Sequence, residues 1–367
     1  MPLHTPFGPP LELTRYPEQA RDNLQAWNAA DELALQEVHD WLKERARPAR
    51  VLVLHDTWGA LTCGLRALTP TSYTDAYTSA QAIRANDPGE SELLHDLDAL
   101  RGVYDLVVMQ LPKNLAFLQD MLARVAPHTT PRTRLVAAGM VKHMARGMFD
   151  LINQHVGETS TSLAKKKARL IFAHFTPPHA PSPFPIEVAF PGMALPMVHH
   201  ANLFSARKVD IGTRLFLEHI PTLPKARAIL DLGCANGVIG VAAGRANPQA
   251  RVIFADDSYQ AVKSAEINAQ RAGLERWETR WTNCYEGAPA DSLDVVLCNP
   301  PFHHNHTVGG FIAHQMFRDA HHALKPGGLL RVIGNHRMGY PAHLGRLFRR
   351  AHVIAKNAKF CVVDATK

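Results

Sequence analysis

Apolar runs and helical repeats alternate along the whole chain. Val51-Leu52-Val53-Leu54, Leu106-Val107-Val108-Met109, Val252-Ile253-Phe254-Ala255 and Leu293-Asp294-Val295-Val296-Leu297-Cys298 are short and apolar almost throughout. Such runs, without strict alternation, predict strands covered on both faces, as in a parallel sheet. Between them the period lengthens. Leu24, Trp27 and Leu35 share one side of a helix predicted from about residue 24. In the second half the pattern predicts a strand at 228–232, a helix at about 238–246, a strand at 252–255 and a helix at about 258–272. Strands near 278–282 and 293–298, a helix near 312–324, a strand at 329–333 and a terminal strand pair near 352–363 follow. Lys325-Pro326-Gly327-Gly328 reads as a helix stop. Residues 186–203 alternate enough for a lead-in hairpin, and Ser205 or Asp210 is placed to cap the helix after it. Alternating strands and helices predict an α/β chain with a doubly covered, mainly parallel sheet.

The pattern occurs twice. Val51 to Leu61 reads as a worn copy of Ile229 to Ile239, and Tyr104 to Lys113 follows the pattern of Leu293 to Phe302. Tyr73-Thr74-Asp75 matches Phe254-Ala255-Asp256, and Arg134 to Gly139 matches Leu329 to Gly334. A repeat of this length is one whole α/β domain duplicated. Residues 176–186 hold a proline-dense, semi-rigid linker, so the expected organisation is 1–175, linker, 187–367. The first copy has no counterparts of Gly233 and Asn236 around His55 to Trp58, and carries Gln110-Leu111-Pro112-Lys113 where the second has Asn299-Pro300-Pro301-Phe302. It is expected to keep the fold and bind no cofactor. Retention of a nucleotide by Asp56 and Gly59 is the alternative.

Two stretches of the second copy carry chemistry. Asp231-Leu232-Gly233-Cys234-Ala235-Asn236-Gly237 joins a buried strand to a helix through a glycine-bearing bend. Glycines there open φ angles closed to other residues and let a ligand approach the backbone, at the strand ends where open α/β sheets gather ligands. Asn299-Pro300-Pro301-Phe302 ends another buried strand. Its prolines fix φ and remove two donors, which leaves the Asn299 side chain and the Pro300 carbonyl as rigid acceptors for a planar amino group, with Phe302 as a stacking surface. Asp256 or its neighbour Asp257 is placed to accept from ribose hydroxyls.

Composition narrows the picture. No apolar run is long enough for a membrane-spanning helix, and the first residues lack the pattern of a secretory leader. The five cysteines are odd in number and never spaced Cys-x-x-Cys, which points to reduced thiols in a cytoplasmic protein. Residues 1–180 hold 19 Lys+Arg against 19 Asp+Glu, whereas 181–367 hold 21 against 14. A basic second half suits a polyanionic substrate. Lys165-Lys166-Lys167-Arg169 and Arg346-Arg349-Arg350 are candidate phosphate contacts, with a solvated face as the equal alternative. His303, His304, His306 and the pairs His199-His200 and His321-His322 read as loop and surface histidines rather than metal ligands, since no step needs a metal.

Asp-Leu-Gly-Cys-x-Asn-Gly at 231–237 followed by Asn-Pro-Pro-Phe at 299–302 resembles S-adenosylmethionine-dependent amino methyltransferases. With duplicated halves, Leu-Gln-Ala-Trp at 24–27, His-Ala-Asn-x-Phe-Ser at 200–205 and Asp-Ile-Gly at 210–212, the chain is similar end to end to the guanine-N2 methyltransferases of bacterial ribosomal RNA, above all the large-subunit kind. The resemblance implies two tandem Rossmann-like domains, the first degenerate and the second catalytic. It implies S-adenosylmethionine as cofactor, held by Asp231, Gly233, Cys234, Ala235, Asn236, Gly237, Asp256, Asp257 and Asn283, with Asn299, Pro300, Pro301 and Phe302 presenting the guanine. Where the family carries a second loop glycine this chain has Ala235, a residue that disfavours φ > 0. The implied partner is 23S rRNA, met by a monomer without metal or membrane. Small-subunit 16S rRNA as substrate, glutamine-amide or adenine-N6 methylation, and a non-catalytic RNA-binding assembly factor are the competing readings.

Overall fold

The computed structural model describes residues 1–18, 24–45, 47–87, 89, 91–203, 210–301 and 309–367. It divides into two units, Met1–Phe184 and Pro185–Lys367. In the first, β1 (Val51–Leu54), β2 (Thr71–Tyr73), β3 (Glu92–Leu94), β4 (Leu106–Gln110), β5 (Arg134–Met140), β6 (Ser160–Thr161) and β7 (Ala168–His174) form one sheet ordered β3-β2-β1-β4-β5-β7-β6. The first five are parallel, β7 runs against β5, and β6 runs against β7. Helices α1 (Ala29–Lys43), α2 (Ala60–Gly64), α3 (Tyr77–Asn86), α4 (Leu115–Val125) and α5 (Arg146–His155) accompany it.

The second unit opens with the predicted hairpin, β8 (Ile186–Val188) against β9 (Met197–His199). Then β10 (Ala228–Leu232), β11 (Arg251–Asp256), β12 (Trp277–Trp281), β13 (Leu293–Cys298), β14 (Leu324–Asn335), β15 (Arg350–Lys356) and β16 (Phe360–Thr366) assemble as β12-β11-β10-β13-β14-β16-β15, the same order again. Its helices are α6 (Ile211–Glu218), α7 (Val238–Ala246), α8 (Tyr259–Arg271), α9 (Gly309–Ala323) and α10 (Tyr340–Leu347). The apolar runs behave as strands buried on two sides. Leu230, Leu232, Val296 and Cys298 enter one core with Phe317 and Tyr340, whereas Ile229, Val295 and Leu297 enter another with Val241 and Phe254. Both faces of the sheet are therefore dry, which an alternating polar pattern would forbid.

Two local readings change and a third is resolved. Helix α1 starts at Ala29, not near 24, because Asn28 and Asp31 form a capping box: Ala30 N–H donates to Asn28 Oδ1 at 2.8 Å and Asn28 N–H to Asp31 Oδ2 at 2.8 Å. Leu24 lies before it, 68% exposed. Helix α9 does end at Ala323, just ahead of Lys325 to Gly328, but no separate strand starts at 329. Strand β14 begins at Leu324, paired with Leu293, and the glycines make an irregularity in it, with Gly327 N–H bonded to the Lys367 carbonyl at 3.0 Å. Of the two possible caps of α6, Asp210 accepts from Gly212 and Thr213 N–H at 2.9 and 3.3 Å, while Ser205 falls outside the described residues.

Candidate active site

Strands β10 and β13 are parallel neighbours with Leu232 opposite Cys298. The next residue on each belongs to one of the two motifs: Gly233 opens the glycine bend and Asn299 opens the Asn-Pro-Pro turn. They sit side by side. A Cβ built on Gly233 would lie 3.7 Å from the Asn299 carbonyl oxygen and 3.1 Å from Met316 Cε, so a bare hydrogen keeps the space between bend and turn open.

The bend passes through left-handed conformations at Gly233, Ala235 and Gly237, with φ of 74°, 48° and 79°. Ala235 takes that conformation despite its methyl, at a cost of about 1 kcal/mol. Asp256 holds it there: its Oδ2 accepts Ala235 N–H at 2.9 Å and its Oδ1 accepts Ser258 N–H at 2.9 Å. Asp231 reaches across the bend, accepting Gly240 N–H on Oδ2 at 2.8 Å. Burial, opposed by that N–H and reinforced by the charge of Asp256, raises the Asp231 pKa to about 8. Burial raises Asp256 too, against the N–H groups of Ser258, Ala235 and Asp257. The Asn236 side chain turns inward, accepting Val238 N–H at 3.3 Å and leaving Nδ2 buried without a partner among the described residues. Cys234 and Cys298 flank the site as buried thiols whose pKa values burial drives far up, so neither serves as a nucleophile.

At the end of β12, Asn283 is 6% exposed and donates to Glu286 Oε2 at 3.2 Å. Thr282 N–H bonds the Asp256 carbonyl at 3.0 Å, and the Trp281 indole N–H bonds the Asp257 carbonyl at 2.8 Å. Asp231, Gly233, Asp256, Asp257 and Asn283 thus line three successive strand ends. On the other side of Gly233, Pro300 is buried and Asn299 Oδ1 is buried with no hydrogen-bond partner among the described residues. An unpaired buried acceptor costs about 1–3 kcal/mol. Phe302, with His303, His304 and His306, falls outside the described residues.

The first unit can be matched to this residue by residue. His55 N–H bonds the Tyr73 carbonyl at 2.9 Å as Gly233 N–H bonds that of Ala255 at 2.8 Å, and Gly59 and Gly237 each precede a helix with φ of 87° and 79°. This register gives Gly233 and Asn236 counterparts after all, His55 and Trp58. It sets Val53 against Asp231 and Thr74, rather than Asp75, against Asp256. His55 keeps the left-handed φ, 58°, and packs its ring edge-on against Phe117 at 5.5 Å. Burial lowers its pKa to about 4, so it is neutral. Gln110 stands where Asn299 stands. It accepts from Thr57 N–H and Oγ1–H at 3.1 and 2.7 Å and donates to Asp31 Oδ1 at 2.7 Å.

Two family models match the chain: the RLMG N-terminal domain over residues 2–177 and the methyltransferase small domain over 194–364. The chain is 42% identical over 376 residues to the ribosomal RNA large subunit methyltransferase G of Ectopseudomonas mendocina, covering 100% of both chains. It is 40% identical to the protein of that name from Streptomyces avermitilis, over 100% of this chain and 99% of the relative. The chain belongs to the ribosomal RNA large subunit methyltransferase G family. Among solved structures it resembles the T. thermophilus 16S rRNA N2 G1207 methyltransferase in complex with AdoMet and guanosine, with a TM-score of 0.77 and 22% identity over 100% of this chain and 97% of that one. At that identity the likeness speaks for the fold.

In this large subunit methyltransferase G family member, sequence reasoning missed the side chains that hold the bend from behind. Asn268 on α8 donates to the Asn236 carbonyl at 2.9 Å and exchanges two bonds of 2.8 Å with Val198 on β9. Met316 on α9 meets Gly233. One polar residue on an otherwise ordinary helix and one methionine in an apolar stripe gave no sign of this in the chain itself. The described residues contain no group of three or more His, Cys, Asp or Glu arranged to hold a metal ion, and no helix among them is long and apolar enough to cross a membrane.

Proposed function

We propose that the second unit transfers a methyl group from S-adenosylmethionine to the exocyclic N2 of a guanine in 23S rRNA. The observation that carries this reading is the orphaned Asn299 Oδ1 beside an open glycine bend. Bound along the bend, S-adenosylmethionine supplies an already activated methyl on a sulfonium. What remains for the chain is alignment and exclusion of water. Asp256, with Asp257 as the competing choice, is assigned the ribose hydroxyls, Asn283 the adenine edge, and Asp231 the methionine ammonium, a cation that draws its raised pKa back down and leaves the carboxylate charged. Gly233, Cys234, Ala235, Asn236 and Gly237 form the backbone floor. Asn299 Oδ1 and the Pro300 carbonyl accept the two N2 protons, which turns the nitrogen lone pair out of conjugation and toward the methyl. Pro301 stiffens the turn, and Phe302 is assigned the stack on the base, worth about 1–3 kcal/mol. A base in folded RNA must leave its stack to reach such a pocket.

Full-length identity of 40–42% to relatives named for the large subunit supports 23S over 16S rRNA. The first unit, with His55 and Gln110 where the second has Gly233 and Asn299, is assigned no cofactor and a role in orienting RNA. The five cysteines are buried free thiols, consistent with a reducing compartment such as the cytosol. Tritium transfer from labelled cofactor to separated 16S and 23S transcripts tests the reading. Asn299→Ala should lower kcat by about 10²–10³-fold, as loss of one preorganised polar group does elsewhere, with cofactor affinity within about threefold. Equal loss of both would refute the assigned role. RNA binding without transfer would favour an assembly factor.

A further inference from the structure

Among the described residues of the second unit, four carry buried side-chain polar atoms without a hydrogen-bond partner: His199, Asn236, Asn299 and Tyr340. Asn236 belongs to the bend and Asn299 to the turn. Tyr340 belongs to neither motif, yet the fold brings it to the same strand ends. It is the first residue of α10, entered from Gly339 at a left-handed φ of 63°, and is 2% exposed. A Cβ built on Gly334, near the end of β14, would overlap the Tyr340 ring, so the bare glycine is the seat of that ring. Val332 stands opposite Cys298. Gly334 lies two residues beyond Val332, as Pro300 of the turn lies two beyond Cys298.

Packing accounts for the ring. Phe317 of α9 meets it edge-on with centroids 5.1 Å apart. The two share a core with Cys298 and with Met316, which closes on Gly233. The stacked imidazoles of His314 and His343, 3.7 Å apart and 3° from parallel, hold α10 against α9. A phenylalanine would satisfy all of this. The hydroxyl is what packing leaves unexplained, since a buried tyrosine oxygen ordinarily finds a partner. Burial, and then Cys298, pushes the phenol pKa up, so the group keeps its proton and can donate. The first unit has the same seat without the hydroxyl. Met109 stands opposite Ala137 as Cys298 stands opposite Val332, so Gly139 matches Gly334. A Cβ on Gly139 would meet Leu111 and Met144 at 3.2 and 3.4 Å, and neither side chain can donate. Of the two matched seats, the one beside the proposed guanine site carries the donor.

We propose that Tyr340 is a specificity-determining residue of the guanine site, its hydroxyl donating to O6 of the flipped base. The inference rests on the guanine reading above and deepens it. The clamp offers only acceptors, Asn299 Oδ1 and the Pro300 carbonyl, which any planar amino group would satisfy. Adenine presents an amino group but no carbonyl, so a donor aimed at O6 separates the two bases.

The full chain, loaded with the demethylated cofactor S-adenosylhomocysteine, tests this with guanosine and with 2-aminopurine riboside, which keeps the N2 amino group but has no O6. Fluorescence of the second, and its displacement by the first, reads both affinities. Wild type should prefer guanosine about tenfold, as one neutral hydrogen bond allows. Tyr340→Phe should bind the two equally, with 2-aminopurine riboside held as in wild type. Its melting temperature should be no lower than that of wild type, because the hydroxyl it loses had no partner. Its kcat/KM for a 23S rRNA transcript should fall about tenfold. A preference kept in Tyr340→Phe, or both nucleosides weakened alike, would overturn the assignment, as would a wild type that does not distinguish them. Wild type that transfers no methyl to any transcript would overturn the guanine reading beneath it.

Discussion

The two units carry the same seven strands in the same order, yet their corresponding strand ends hold opposite contents. In the second, Gly233 leaves a wedge open and the Asn299 side-chain oxygen is buried with no donor to it among the described residues. In the first, a neutral imidazole packs at the glycine position and Gln110 has its amide bonded at both ends, to Thr57 and to Asp31. A satisfied polar network stabilises its surroundings, whereas an unsatisfied acceptor costs free energy until a ligand arrives. The difference teaches that one fold can stand with its strand-end space either open or closed. It is enough to close the space and give the stranded polar groups partners.

The comparison can be broken by moving residues across it. Gly233→His, the residue of the first unit, should lower cofactor affinity about 100-fold or more, since even a Cβ there lies 3.1 Å from Met316 Cε and overpacking is costly. Equilibrium dialysis with labelled cofactor reads this, and a change of less than threefold would contradict the proposed path of the bend. Asp256→Thr places there the residue that the first unit has at the matching position, Thr74. Loss of charge-assisted hydrogen bonds to a ribose should weaken cofactor binding about 10- to 100-fold, and a variant that binds as wild type would shift the role to Asp257.

A third test concerns Asp31, which closes the first unit's network. Burial, followed by the charge of Asp56, raises its pKa to about 7. A carboxyl whose pKa is raised by folding binds its proton more tightly in the folded state. Its contribution is therefore fully present below about pH 4 and lost as pH rises toward about 7. Hydrogen exchange of the Val51–Leu54 amides should show wild-type protection falling across that window. Asp31→Asn should flatten most of the fall, leaving the part due to Asp56, which burial also raises. An equal slope in the variant would clear Asp31. The smallest effect is expected of Ala235→Gly. Relief of φ 48° should stabilise the loaded second unit by about 0.5–1 kcal/mol, measurable as a shift in melting with saturating cofactor.

Much of the fold was legible because both-side burial demands unbroken apolar runs, and Val51–Leu54 and Leu293–Cys298 announce themselves that way. The proximity of the two motifs was legible for a related reason, since adjacent parallel strands deliver their last residues to one place. Elsewhere local chemistry outweighed period. Helix α1 obeys the Asn28–Asp31 capping box and ignores the apolar spacing that begins at Leu24. The second-strand match slipped by one residue because β2 is three residues long and β11 six, so only the ladder bonds reveal that Thr74, not Asp75, occupies the place of Asp256. Asn268 was invisible because three hydrogen bonds from one amide depend on which carbonyls the fold brings to it.

That amide has a mechanical consequence. Asn268 grips Val198 of the lead-in hairpin and the Asn236 carbonyl of the bend with one side chain. The hairpin is thus a strap buckled to the floor of the pocket: whatever tugs on β9 is felt at the glycine bend, and a stiffened bend tightens the strap in return.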